Sequence, residues 1–394
     1  MSHIAARVRE LPATVFSEFS ALAARTGAVN LGQGFPDFDG PEEVREAAVR
    51  ALREGVNQYA LGAGSANLRR AIAEHAARFH QHRVDPERDV TVTAGATEAL
   101  FDALLGLLDP GDEAVLFEPF YDSYAAAVSM AGATVRPVML RPPRPGQPSW
   151  WYEAAELEAA FGPRTRVVVV NSPHNPTGKV FSRTELEAIA ACCLRHDAVA
   201  LTDEVYEHLV YPPAKHFRLA TLPGMAERTL TVSSGGKTFS YTGWKVGWAI
   251  GPPALRRAVA QPHQYVTFAV AAPLQEAIAL ALRLPDTYFL GLREAYAARC
   301  ERLLVGLRAA GLRPWTAEGA YFLCAEVSQF GHPSDDAFCR WLATEVGVAA
   351  IPLSAFYARP GLAPQVARFA FCKTDAVLDE AARRLAKLST PLPP

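Results

Sequence analysis

The order of patterns along the chain predicts an α/β fold whose large domain has a mostly parallel central sheet flanked by helices. Three observations carry that expectation. Short apolar runs recur through the middle of the chain, separated by stretches with apolar residues at helical spacing. One run, 166–171, contains four consecutive valines, the unbroken apolar character of a strand buried on both faces. After Pro285 the alternation gives way to a long helical pattern, which marks a second, smaller unit.

Taken in order, residues 89–93 read as a strand and 97–108 as the helix that follows. Residues 113–117 form the next strand, ending at Glu118-Pro119. The valine run at 166–171 leads through Thr177-Gly178 loop chemistry into a helix over 183–196. Strands at 198–203, 229–233 and 246–251 continue the series. Beyond it come a helix over 288–310, a few strands and a terminal helix over 375–388. The expected division is a large domain at 42–285 and a small α/β domain built from both termini, 1–41 and 286–394.

Bulk properties exclude several classes. A net charge of -2 gives no basic footprint, so no nucleic acid is expected as a partner. The first 15 residues have no signal-like apolar core, and no apolar stretch is long enough to span a bilayer, so no membrane is expected either. The six cysteines lack paired spacing and any CxxC pattern. They read as reduced, mostly buried thiols of a cytoplasmic protein, and no metal site is expected.

Ligands of open α/β sheets bind outside the carboxyl ends of the strands. Five such ends carry polar clusters here: Gly95-Ala96-Thr97, Tyr121, Asn171 to Asn175, Asp203 to Tyr206, and Ser234 to Lys237. Lys237 is the most telling. The chain has only six lysines, and two of them, Lys237 and Lys245, fall in one segment with Ser234 three positions before Lys237. A lysine that can condense with an aldehyde, beside a hydroxyl and a cation that can hold a phosphate, is the set pyridoxal phosphate requires. Backbone N–H groups of Ala96 and Thr97, at a strand-to-helix turn, suit the same phosphate. Asp203 can pair with a protonated ring nitrogen, while Tyr206 and Asn175 can reach the ring's phenolic oxygen. Arg368, on an apolar strand-like run, needs a planar anion: a substrate carboxylate, or a carboxylate of the protein itself. His174 reads more simply as a hydrogen-bonded surface group than as a general base.

These residues resemble the fold-type I aminotransferases of class I/II, and within them the methionine and kynurenine (glutamine transaminase K-like) branch. The resemblance runs from Asn30-Leu-Gly-Gln-Gly-Phe-Pro-Asp-Phe38 through Asn57-Gln-Tyr59, Thr93 to Leu100, Glu118 to Tyr124, Asn171 to Gly178 and Asp203 to Tyr211. It continues through Ser234 to Gly247, His263-Gln-Tyr-Val-Thr-Phe268 and Gly347-Val-Ala-Ala-Ile-Pro-Leu-Ser354 to Arg368. It implies that Tyr121 stacks on the cofactor ring and that Tyr59 reaches the neighbouring subunit's phosphate, making a homodimer with shared active sites. It further implies that Gly34 and Asn175 contact the substrate carboxylate beside Arg368. Phe16, Tyr59 and a Phe268 contributed across the dimer would line the side-chain pocket. Cis peptide bonds are implied at Glu118-Pro119 and Asn175-Pro176. The chain departs from the family in three places: Lys245 stands where arginine is common, Tyr121 where the kynurenine enzymes have phenylalanine, and Phe16 where some relatives have tryptophan.

The resemblance and the residues together imply pyridoxal phosphate-dependent transamination between an apolar or aromatic L-amino acid and a 2-oxo acid. Methionine, phenylalanine, tyrosine, leucine, glutamine and kynurenine are the expected donors. A dicarboxylate would call for a further cation, and residues 262–273 offer no lysine or arginine. Two rival readings remain. One is a cysteine-conjugate or cystathionine C–S β-lyase, which uses the same cofactor. The other is a cofactor-binding regulatory domain, which would need a DNA-binding module ahead of a family pattern already running by Phe16.

Overall fold

The computed structural model describes residues 3–9, 11 and 14–389. Pro12 and the outermost residues of the small-domain assignment, 1–2 and 390–394, lie outside the described residues. The centre is a seven-stranded sheet built from β1 (Val90–Thr93), β2 (Glu113–Glu118), β3 (Thr134–Met139), β4 (Thr165–Asn171), β5 (Val199–Asp203), β6 (Thr229–Ser234) and β7 (Gly247–Ile250). Their spatial order is β1-β7-β6-β5-β4-β2-β3. All neighbours are parallel except β7, which runs antiparallel to both β1 and β6. That reversal matters for the site. β7 begins at the edge where the other strands end, so Lys245, two residues before it, is delivered to the same edge as Ser234.

The valine strand is buried on both faces, and the alternation of a pleated strand sorts its side chains. Val168 and Val170 join one apolar cluster, with Val115 and Ala200; Val167 and Val169 join another, with Leu116 and Leu201. Burying each such side chain stabilises the fold by about 1.5–3 kcal/mol, which is why this strand sits mid-sheet.

The expected helices stand close to their expected bounds. Arg183–His196 is closed at its start by a reciprocal cap, Ser182 accepting from the Glu185 N–H and Glu185 accepting from the Ser182 N–H. The long helix is Asp286–Ala309 and the terminal one Asp375–Leu385. Strand β3, absent from the sequence reading, carries Pro137 and Arg136 at the sheet edge. A proline cannot donate to a sheet and is tolerated at an edge, and its presence hides the strand pattern.

A second, four-stranded antiparallel sheet has the order Ile351–Pro352, Val366–Ala370, Phe322–Glu326, Arg313–Pro314. Val29–Asn30 pairs in parallel with Val348–Ala349, and Leu31 accepts a 2.6 Å bond from the Ala370 N–H. These contacts draw residues 32–35 alongside Arg368. Cis peptides occur at Glu118-Pro119 and Asn175-Pro176, as the resemblance implied, and also at Ser172-Pro173 and Pro212-Pro213. All six cysteines are free and buried. Among the described residues no helix is long and apolar enough to cross a membrane.

Candidate active site

The polar strand ends converge on one cavity of about 320 Å³. Phe16, Gly34, Ala96, Thr97, Tyr121, Asn175, Asp203, Tyr206, Ser234, Lys237, Lys245 and Arg368 all line it. Tyr59 and Phe268 do not. They lie on the surface, 84% and 49% exposed, with rings perpendicular and 5.3 Å apart.

One end of the cavity is an anion cradle. Gly95 turns the chain from β1 into helix Ala96–Leu107 at φ +82°, a conformation that favours glycine. Ala94, just ahead of it, donates its N–H back to Glu98 in the helix's first turn. A Cβ on Gly95 would lie 3.1 Å from the Lys245 Nζ, and one on Gly247 would lie 2.5 Å from the Ala96 nitrogen. Two bare glycines therefore let the ammonium and the start of β7 press against the helix N-terminus. An ammonium beside the positive end of a helix is an arrangement that calls for an anion.

At the centre stand Lys237 and Asp203. The Lys237 amine, in a short helical turn after β6, points at the Gly34 carbonyl 3.4 Å away. Burial holds its pKa below the usual lysine range, against the opposing pull of Cys372 and Asp203. Asp203, at the end of β5, accepts a 2.6 Å hydrogen bond from the Tyr124 hydroxyl. Burial pushes its carboxyl up to about 6, against the lowering effect of that bond and of the Val205 N–H. A buried carboxylate in this position is relieved by a cationic partner such as a protonated ring nitrogen. Tyr206 is buried, its ring 5.0 Å from that of Tyr321.

Arg368 forms the third corner. It is completely buried, donating to the Asn175 side-chain carbonyl at 2.8 Å and to the Gly32 carbonyl at 2.6 Å. Its Nε has no partner, and among the described residues no carboxylate pairs with it. Rings of Phe322, Phe16 and Phe356 surround the guanidinium at 4.2, 5.2 and 5.2 Å. Of the two anions the sequence left open for Arg368, the protein's own carboxylate is therefore absent.

His174 is corrected. It is 1% exposed rather than on the surface, bonded through Nδ1 to the Thr177 hydroxyl at 2.8 Å, and burial lowers its pKa to about 3. It does not line the cavity. Sequence reasoning missed Tyr124, though its spacing of one helical turn from Tyr121 was a usable signal. It also missed Phe322, whose stretch carries no pattern to set it apart, and Gln33, which lies within the 30–38 stretch of the resemblance.

The donor set fits pyridoxal phosphate at three points: an anion cradle, a buried lysine and a buried carboxylate. The comparisons agree. The model of aminotransferase class I and II matches residues 26–385. A probable N-succinyldiaminopimelate aminotransferase of Mycobacterium tuberculosis is 50% identical over 391 residues, covering 97% of this chain and 98% of the relative. The solved structure of an N-succinyldiaminopimelate aminotransferase from that organism superposes with a TM-score of 0.94 at 49% identity, covering 98% of this chain and 100% of its own. The methionine aminotransferase of Escherichia coli is 39% identical, with 97% of each chain covered. Kynurenine–oxoglutarate transaminase 3 of Rattus norvegicus is also 39% identical, covering 96% of this chain and 88% of the relative.

Proposed function

The chain belongs to the class I and II aminotransferases, which depend on pyridoxal phosphate, and from that premise we propose that it moves an amino group between an apolar or aromatic L-amino acid and a 2-oxo acid. The observation that carries the substrate class is the cavity wall. Phe16, Phe35, Tyr121 and Phe322 line it, and among the described residues its only cations are Lys237, Lys245 and Arg368, each of which already has a task. An apolar pocket separates substrates that differ by a methylene by only about 1–3 kcal/mol, so several donors are expected, methionine and phenylalanine among them.

The proposed residue roles are supported by the place of each residue around the one cavity. Ser234, Lys245 and the N–H groups of Ala96 and Thr97 would hold the phosphate. Asp203, steadied by Tyr124, would pair with the ring nitrogen, Tyr121 would stack on the ring, and Tyr206 with Asn175 would bond its phenolic oxygen. Arg368 binds the substrate α-carboxylate, with Asn175 and the backbone of Gly34 beside it. Bound pyridoxal phosphate supplies the sink for the electrons left when the Cα–H bond breaks. Lys237 anchors the cofactor at rest and afterwards carries the proton away from Cα, a task suited to an amine whose pKa burial has lowered.

A homodimer is part of the proposal. Tyr59, Tyr265, Val266 and Phe268 are 84%, 86%, 63% and 49% exposed, a large apolar surface for a soluble protein. A second copy would cover it and receive Tyr59 and Phe268 at its own cavity. We retain the division into a large domain, 42–285, and a small one, 1–41 with 286–394. A reducing, cytoplasmic setting is supported by six buried cysteines without a disulfide.

A second reading, N-succinyldiaminopimelate as donor, is favoured by the 50% identical relative. That substrate carries additional carboxylates, which would need a cation beyond the three that line this cavity.

The test is a half-reaction. Cofactor absorbance is followed as methionine, phenylalanine or N-succinyl-L,L-diaminopimelate is added singly without an oxo acid. Conversion to the amine form by the first two, reversed by an oxo acid, is expected. Response to the succinylated substrate alone would install the second reading, and pyruvate released from cysteine conjugates with no oxo acid present would favour the lyase.

A further inference from the structure

We propose that His75, His80, Glu207 and His208 bind one divalent ion of the zinc type, bracing the outer helix Ala66–His80 against the segment that carries Tyr206 to the cavity. The helix supplies two of these residues, and the turn after β5 supplies the adjacent pair. The four donor atoms all lie within 4.8 Å of one another. His75 and His208 face each other through their Nε2 atoms at 2.7 Å. His80 Nε2 lies 2.5 Å from the Glu207 Oε2, in a side chain only 7% exposed, yet it makes no properly directed hydrogen bond. A nitrogen so placed is better satisfied by an ion shared with the carboxylate than by the carboxylate itself.

The chemistry of the set agrees with that placement. A neutral imidazole is the form that ligates a metal. Three imidazoles and one carboxylate suit zinc or cobalt, whereas calcium and magnesium take oxygen donors. The outer contacts of a ligating carboxylate are also present. Glu207 Oε1 accepts from the Ser233 hydroxyl at 2.7 Å, and Oε2 accepts from Arg218 at 2.7 Å. His80, Glu207 and His208 border a separate cavity of about 520 Å³, which supplies an entry path. None of the four ligands lines the Lys237 cavity, so the ion is structural. Its tether reaches that cavity all the same, because Glu207 adjoins Tyr206 and Ser233 adjoins Ser234.

The test uses the holoenzyme, stripped with chelator and free of amino acid, titrated with Co²⁺ and then Zn²⁺. One equivalent of Co²⁺ per chain with the visible bands of a tetrahedral site, displaced by Zn²⁺, is expected. So is a higher melting temperature with Zn²⁺. His75→Gln and His208→Gln should each weaken binding by more than the roughly 10–100-fold that loss of an outer partner costs, while His332→Gln leaves it unchanged. If either ligand variant fails to fold, the wild-type Co²⁺ spectrum still decides. Absence of a tetrahedral signal at one equivalent, or affinity unchanged in folded His75→Gln and His208→Gln, would overturn the proposal.

Discussion

Two buried arginines are treated in opposite ways. Arg218, 3% exposed, donates from Nε to Glu204 at 2.9 Å and from Nη2 to Glu207 at 2.7 Å. Burial alone would raise Glu204, but Arg218 and His216 more than offset it and hold its carboxyl at about 2. Arg368, wholly buried, meets only an amide oxygen, a backbone carbonyl and three aromatic rings, and burial lowers its pKa to about 10. A charge taken out of water costs several kcal/mol unless an opposite charge returns it. Arg218 has that return from the protein, and Arg368 lacks it. The difference teaches where to look for a ligand: at the buried cation the fold leaves incomplete. Lys237 belongs with Arg368, since its hydrogen bond goes to a backbone carbonyl at 3.4 Å and among the described residues no carboxylate forms an ion pair with it.

The contrast can be tested from its strongest consequence downward. Lys237→Ala is expected to reduce transamination by at least the roughly 10²–10⁴-fold that a positioned proton carrier supplies, with loss of the absorbance band of the lysine-bound cofactor. Substantial residual turnover would remove Lys237 from its assigned role. Next come the two arginines, measured side by side by thermal unfolding and steady-state kinetics. Arg218→Ala should destabilise the protein by about 3–5 kcal/mol, because it removes the permanent cation that two buried carboxylates share. Arg368→Ala should leave stability nearly unchanged or improved. Its kcat/KM should fall roughly 10- to 100-fold, as expected from losing charged hydrogen bonds of about 1.5–3 kcal/mol. Equal destabilisation by both substitutions would break the comparison.

The smallest effect concerns pH. The Asp203 carboxyl titrates near 6 before the cofactor binds, raised by burial. Its ionisation therefore costs the cofactor-free protein stability as pH climbs from the ordinary carboxylate range to about 6. Cofactor binding reverses the sign, because a protonated ring nitrogen needs the ionised form. Affinity for pyridoxal phosphate should fall by about tenfold per pH unit below 6, and Asp203→Asn should abolish that part of the dependence. A profile shared by wild type and variant would separate Asp203 from the ring.

Much of the site was legible because its chemistry is local. The anion cradle is three consecutive residues at one strand-to-helix turn, and Ser234, Lys237 and Lys245 share a single segment. The valine strand announced its burial by composition alone. Pro137 concealed β3, since an edge strand needs neither regular donors nor an apolar pattern. His174 was misplaced for a related reason: loop chemistry suggests exposure, but this loop folds inward over its own hydrogen bonds.

By itself, then, the sequence determined the α/β class, the lysine and its companions, and the family to which they belong, because periodicity and short motifs act over a few neighbouring residues. Only the tertiary structure decided which buried charges find partners. Arg368 meets Asn175 across 193 positions, and His75 meets His208 across 133. No periodicity reaches that far. Desolvation and pairing of charge are properties of the packed interior, and they exist only once distant segments have closed around the same volume.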